Sequence, residues 1–423
     1  MTETTAPQSR AAAPAGKNAF LFVIVTVMLD MMGFGLIVPV LPSLLTEITQ
    51  RPVEEIVVLG GALTATYALM NFLAGPTLGA LSDRYGRRPV LLASVGTLAV
   101  DFLIMGLADT LVVLFIGRIL AGIAGATFST ANAYIADVTE PSQRARAYGM
   151  VGAAFGVGFI LGPAFGGLLA EINNRAPFFA AAALAACNFV YGVFVLPESL
   201  PKSRRRVFEP VRANPFGAFK HFSKLPKVKF FLAAMGLYAL AHSVYPATWS
   251  YHGAVRYEWG EAMIGLSLAC VGLGSIVVQA GLIGPILKRI GPANAAQAAF
   301  IVNIVAMAGY AFAFAPWMAF AIIPVSAFGS LVGPSLNSIM SNLTPPDSQG
   351  ELQGAVASLN ALSMVMAPLI LSSTLEFYVS DAAPVPFAGA AFLLAAGLVA
   401  VAMAPLLTGL RLNRADIAQI GAS

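Results

Sequence analysis

Twelve apolar runs, each about as long as the 20 residues a helix needs to cross a bilayer, divide the sequence between Phe20 and Leu407. They cover Phe20–Leu45, Val57–Leu81, Pro89–Ala108, Thr110–Ala136, Tyr148–Ala170 and Ala176–Leu196. After a long polar stretch come Phe230–Ser250, Ala262–Leu287, Ala293–Ala315, Trp317–Asn342, Leu352–Leu375 and Pro386–Leu407. The runs are continuous rather than alternating, which suits helices and not barrel strands, and only these two structures satisfy their own backbone in lipid. Composition agrees. The chain is 58% hydrophobic and 10% charged, against about 25% charged in a soluble chain. So few charges would leave very large apolar patches on a water-exposed surface. Disorder is excluded as well, since it requires low hydrophobicity and high net charge. The expected fold class is an all-α membrane protein with twelve transmembrane helices.

Orientation follows from the basic residues. Of 24 Lys and Arg, twenty fall in the N-tail, the even-numbered loops, the connection after the sixth run and the C-tail. Among them are Arg10, Lys17, Arg84, Arg87, Arg88, Arg144, Arg146, Lys288, Arg289, Arg411 and Arg414, with nine more between Lys202 and Lys229. Only Arg51, Arg175 and Arg256 fall on the other side, and Arg118 lies within a span. Both termini are therefore expected in the cytoplasm. The basic central connection (Arg212, Lys220 and Lys224 included) reads as an orientation signal near an anionic leaflet, not as a nucleic-acid site. The first 18 residues do not read as a secretory signal, because the run opened by Phe20 is too long and has no small-residue cleavage site. The expected organisation is a cytoplasmic N-tail over 1–18, a six-helix bundle over 19–198, a basic cytoplasmic linker over 199–227, a second bundle over 228–408 and a cytoplasmic C-tail over 409–423. Cys187 and Cys270 show neither zinc nor disulfide spacing and read as small buried hydrophobes.

Two groups of six runs invite a search for a repeat, and an offset of 205 recurs without gaps. It relates Gly79 to Gly284, Arg84 to Arg289, Gly86 to Gly291, Thr139 to Thr344, Pro141 to Pro346, Gly149 to Gly354, Pro163 to Pro368 and Glu171 to Glu376. Six crossings separate the mates, so both halves share one orientation and should flank a pathway between them. Charge is not repeated. At the same offset Asp30 meets Met235, Asp83 meets Lys288, Asp101 meets Ala306, Arg118 meets Ile323 and Asp137 meets Asn342.

Four motifs carry a family resemblance. GALSDRYGRR (Gly79–Arg88) resembles the loop motif of the major facilitator superfamily. GRILAGIAGAT (Gly117–Thr127) and GFILGPAFGG (Gly158–Gly167) resemble the fourth- and fifth-helix motifs of its proton-dependent drug exporters. LDMMGFGLIVPVLPSLL (Leu29–Leu45), Asp101, and YIADVTEPSQRARAYG (Tyr134–Gly149) resemble the tetracycline/proton antiporters more narrowly. The resemblance implies two pseudo-symmetric six-helix bundles, a bacterial inner-membrane location and exchange of protons for a drug by alternating access. The sequence departs from the family in helix 9, where an acidic residue is expected near Ala306.

The motifs have physical roles. Gly79 and Gly86 permit a tight turn. Asp83 is placed to face the positive N-terminus of helix 11, while Arg84, Arg87 or Arg88 bonds Asp137, giving a cytoplasmic latch. Asp30, Asp101 and Arg118 are the formal charges within the spans. Each costs about 2.5–3.5 kcal/mol at a helix centre, so they should face the interior, where Arg118 pairs with Asp30 or Asp101. Asp30 is the expected proton site, with Asp101 and Arg118 as partners; the bland alternative is an ion pair that only fixes packing. In the fifth run Gly152, Gly156, Gly158, Gly162, Gly166 and Gly167 should let backbones approach closely, with Pro163 as a kink.

Candidate substrate contacts are Tyr67, Asn71, Asn132, His242, Tyr245, Trp249, Gln279, Asn303, Asn337 and Asn360. His242 also fits an interior hydrogen-bonded role, and Trp249 and Tyr251 also fit interfacial anchors. An aromatic, Met and amide lining suits a flat amphipathic organic molecule better than a sugar. The function expected is therefore a proton-coupled exporter of such a molecule, tetracycline-like drugs included, with no cofactor beyond the proton gradient and with one chain sufficient. The alternative is a proton-coupled transporter of a siderophore or metabolite, in either direction, and then a non-transporting receptor. An enzyme is not expected, since no nucleotide loop, metal cluster or nucleophile constellation is present.

Overall fold

In the computed structural model the described residues are 17–125, 127–140, 143–208 and 225–420. Arg10, Pro141, Arg212, Lys220 and Lys224 lie outside them. Twelve spanning helices follow one another: α1 (Lys17–Thr49), α2 (Val57–Tyr85), α3 (Arg87–Gly106), α4 (Leu111–Val138), α5 (Arg144–Ala170) and α6 (Ala176–Val195). The second set opens with α7 (Lys229–Tyr257), followed by the helical stretch Glu261–Phe312. Gly291, at φ 74° and ψ 160°, divides that stretch into α8 (261–290) and α9 (292–312). Then come α10 (Pro316–Leu343), α11 (Gln349–Val379) and α12 (Ala390–Leu412), with a short α13 (Arg414–Ile420) beyond. The described residues contain no strand. The twelve helices match the twelve apolar runs, and the polar ends of α1, α5 and α11 lengthen them past the hydrophobic stretch.

Side-chain placement makes sense only in lipid. On α4 the stripe Val112, Ile116, Ile119 and Ile123 is exposed, while Leu114, Gly117, Arg118, Ala121 and Gly122 are buried. A soluble helix shows the opposite pattern. Cys187 is exposed and Cys270 half-buried. The expectation of two buried thiols therefore fails for Cys187, whose apolar surroundings are membrane rather than protein.

Gly86 (φ 110°) and Gly291 (φ 74°) are the left-handed glycines among the described residues. They are mates at the offset of 205, each at the turn joining the second helix of its half to the third. No Cβ-bearing residue adopts such a backbone without strain, so the repeat survives where conformation demands it.

Two seams join the halves, α5 with α8 and α2 with α11, and the repeat relates them. The Pro163 carbonyl lies against Gly265, with no room for a Cβ. The Pro368 carbonyl would stand 2.8 Å from a Cβ on Gly61. Gly167 rests on the Glu261 and Ala262 backbone, and its mate Ser372 rests on Gly61. These contacts lie toward the face opposite the one where α1 begins and α12 ends (the far and near faces hereafter). Toward the near face, a Cβ added at Gly75, Gly149, Gly152, Gly281 or Gly284 would meet nothing within 4 Å. The molecule is shut at the far face and open at the near face.

Candidate functional site

Helix α1 carries one inward stripe at helical spacing: Asp30, Phe34, Ile37, Val38 and Leu41. Its close approach to α5 fixes that stripe. Gly158 sits on the Met28 carbonyl, Gly162 on Met32 and Gly35, and Gly166 on Leu36, while Gly35 in turn packs on the Pro163 ring. Three of the six glycines expected to give close contacts in α5 therefore serve α1, and Gly167 serves α8. Gly152 faces open space and Gly156 meets only Ile276 at 3.7 Å. The expectation of close packing fails for Gly152, because it stands where the near face is open.

The charges divide unequally. Arg118 Nη2 of α4 lies 3.3 Å from Asp101 Oδ2 of α3, with side-chain exposures of 6% and 0%. Asp101 is the partner chosen from the two carboxylates. Asp101 Oδ1 and Arg118 Nε lack hydrogen-bond partners, so the pair is buried but incompletely satisfied. The Arg118 guanidinium also lies 5.9 Å from the centroid of Tyr67, a cation–π distance. Tyr67 stacks on Phe34 at 5.8 Å. Asp30 stays within electrostatic reach of Tyr67 and forms no ion pair or hydrogen bond among the described residues.

Two cavities meet at Phe34. The smaller, about 40 Å³, is lined by Tyr67, Thr64, Arg118 and Tyr251 among others. The larger, about 260 Å³, lies between the halves and is lined by Phe34, Phe159, His242, Tyr245, Trp249 and Met364 among others. Phe34, Val38 and Pro246 line both, so one wall separates the buried charges from the aromatic chamber. His242 is exposed to this chamber, flanked by Tyr238 at 5.3 Å and Tyr245 at 5.2 Å. Neither of its ring nitrogens has a hydrogen bond among the described residues. Phe34, Phe159 and Pro246 are not among the polar and aromatic candidates named from the sequence; the spacing from Asp30 along α1 is the available signal for Phe34.

The remaining candidates scatter. Trp249 and Tyr251 are not interfacial anchors. Both are buried, with Trp249 Nε1 donating to Ser267 Oγ at 2.8 Å and the Tyr251 ring set against Gly60 of α2. Asn303 is buried and donates to the Ala299 and Gly329 carbonyls at 2.9 and 3.2 Å. That bolts α9 to the 3₁₀ turn Phe328–Leu331 in α10. Asn71 lies where α2 meets Gly125 of α4. Asn132 and Asn337, mates at the offset of 205, are half-buried, and Asn337 Oδ1 lacks a partner. Gln279 is exposed within the π-helical turn Val277–Leu282 of α8, and Asn360 is exposed on α11. None of these six amides lines the larger cavity.

At the near face the loop-motif residues form one cluster. Arg87 bridges Asp83 at 2.7 Å and Asp137 at 3.3 Å, and donates to Ser82 Oγ at 2.6 Å. Arg87 is thus the arginine that reaches Asp137. Arg88 instead bonds the Val193 carbonyl, and Arg84 lies over the Tyr85 ring at 5.2 Å. Gly79 has Ser129 as its nearest neighbour, at 3.7 Å from a built Cβ. The segment after α6 covers this cluster. Glu198 accepts from the Arg87 N–H at 2.8 Å, Ser199 donates to Asp137 at 3.2 Å, and the Arg206 N–H donates to the Asp83 carbonyl at 3.0 Å.

Comparison with known proteins accords with this geometry. A family model described as Major Facilitator Superfamily matches residues 23–368. The chain is 40% identical to the tetracycline resistance protein, class C, of Escherichia coli, over 93% of this chain and 97% of that one. It is 39% identical to the class G protein of Vibrio anguillarum, over 84% and 89%. Among solved structures, the nucleoside transporter NupG superposes with a TM-score of 0.76 at 14% identity, covering 93% of this chain and 99% of that one. The human organic anion transporter MFSD10 (TETRAN) superposes at 0.68 with 22% identity, covering 93% and 100%. These two likenesses speak to the fold alone. The identities and the matched span settle the family: this multi-pass membrane protein belongs to the Major Facilitator Superfamily, among its tetracycline resistance proteins.

Proposed function

We propose that the chain is a proton-coupled antiporter that exports a flat, amphipathic organic molecule of the tetracycline kind by alternating access. The observation that carries this reading is an unpaired acid, Asp30, beside a buried Arg118–Asp101 pair, one aromatic wall away from a chamber between the halves. An intramembrane acid at a chamber is the expected carrier of a coupling proton. The positive-inside distribution supports a bacterial inner-membrane location with the near face in the cytoplasm, and the present conformation is then inward-open. One chain contains the whole pathway, so a monomer suffices.

In this reading the substrate enters from the cytoplasm and lies against Phe34, Phe159, Tyr245 and Trp249. Aromatic faces supply apolar contact, while His242 supplies the polar one. Rocking of the halves then exposes the chamber to the outside. A proton taken up there neutralises Asp30 and lowers the cost of returning it through the closed interior. The proton leaves to the cytoplasm when the near face reopens. Arg118 stays paired with Asp101 and keeps the Tyr67–Phe34 wall in place.

The test uses inverted membrane vesicles. Tetracycline uptake should follow an imposed proton gradient, collapse with a protonophore, and be accompanied by proton release on substrate addition. Asp30→Asn should abolish the proton signal while leaving substrate binding. Normal proton-linked uptake by that variant would overturn the assignment.

A further inference from the structure

Near the end of α11, Glu376 Oε2 accepts a hydrogen bond from the backbone N–H of Val58 at 2.7 Å. Val58 is the second residue of α2, and Ile56 before that helix offers no side-chain cap. First-turn N–H groups have no partner within their own helix, and the helix dipole favours an anion there. Glu376 therefore caps the N-terminus of a helix in the opposite half, at the shut far face. Its repeat mate Glu171 is exposed at the end of α5, so the α5–α8 seam has no such cap. There Glu261 accepts from Ser43 of α1 instead.

Helices α2 and α11 are antiparallel, so the near face presents the same arrangement reversed. Here α2 ends with Asp83 two residues before Tyr85, and α11 begins at Gln349 with no side-chain cap from Ser348. In the present conformation Asp83 turns to Arg87 of its own half. We propose that Glu376 is the far-face counterpart of the Asp83 latch expected from the loop motif: it ends α11 and caps the N-terminus of α2 when the far face is shut, as Asp83 is expected to cap α11 when the near face is shut. The two caps are unequal. The first turn of α11 already carries Glu351, whereas that of α2 carries no acid. The far cap is the stronger, which matches the near-open state seen here. The inference rests on the alternating-access reading, but it assigns a conformation-setting role to Glu376 that this reading does not require.

The experiment measures distances between spin labels in the purified full chain, with Cys187 and Cys270 replaced by Ser. Labels at Arg51→Cys and Asp381→Cys report the far face, and labels at Glu140→Cys and Asp347→Cys the near face; all four positions are exposed. Glu376→Gln should shift the populations about tenfold toward far-open and near-shut, and Asp83→Asn should shift them the other way. Val58→Pro removes the donor without touching the carboxylate and is tolerated in a first turn. It should reproduce the Glu376→Gln shift, and combining the two should add nothing. The proposal falls if Glu376→Gln, or Val58→Pro where the former does not fold, leaves both distances unchanged, or if the two effects add. No substrate or gradient is involved, so a failure of proton-linked transport would count against the transport reading and not against the caps.

Discussion

Arg118 Nη2 and Asp101 Oδ2 stand 3.3 Å apart inside the first six helices, almost wholly shielded, and each side chain keeps one polar atom without a partner. The pair is thus both a structural bolt and an incompletely satisfied one, which is where substitution should discriminate packing from transport.

Removing either partner strands a buried charge, at a cost of about 3–5 kcal/mol. Arg118→Ala and Asp101→Leu should each lower the thermal midpoint in detergent sharply. The double variant Arg118→Met, Asp101→Leu should recover most of that loss, as apolar replacements of buried pairs do, yet remain inactive in vesicles. A double variant that transports normally would reduce the pair to packing.

His242 offers an exposed imidazole to a chamber otherwise lined mainly by apolar groups. His242→Ala should raise the KM for tetracycline by about tenfold, the worth of one good hydrogen bond in a dry site, with little change in proton stoichiometry. An unchanged KM would place the drug elsewhere.

Glycine substitutions along the seams should sort by neighbour. Gly265→Val and Gly61→Val drive a side chain into the Pro163 and Pro368 carbonyls and should destabilise the far-shut state, read as increased labelling of a cysteine placed at Ser43. Gly152→Ala meets open space and should leave stability the same or raise it by up to about 1 kcal/mol through helix propensity.

The two left-handed turns should differ as well. Gly291→Ala suffers backbone strain alone, about 1–3 kcal/mol. Gly86→Ala adds a collision with the Glu198 carboxylate and with Arg205 Nη2 at 2.9 Å. Its thermal midpoint should therefore fall further. Equal losses would show that the segment after α6 yields freely.

The fold was legible because lipid imposes length and hydrophobicity on every span, and Gly86 and Gly291 kept their offset because their φ values admit almost nothing else. Membership in a transporter family was legible from four motifs. The lining of the chamber was less so. Phe34, Phe159 and Met364 are indistinguishable in composition from lipid-facing Phe194 or Met366, since both environments are apolar. Amides misled for the converse reason. Asn303 looked like a ligand for substrate, but a buried amide in lipid is equally served by a neighbouring carbonyl, here that of Gly329. Nor could spacing choose between Asp30 and Asp101 for Arg118, because α1 and α3 both approach α4 and only packing sets the distance.

The segment after α6 does not simply leave the first six helices. Glu198, Ser199 and Arg206 fasten it to Arg87, Asp137 and the Asp83 carbonyl. The segment that follows α6 is thus part of the near-face cluster itself. Any displacement of residues 198–206 is therefore felt at Arg87, Asp137 and Asp83 before it reaches the rest of the first half.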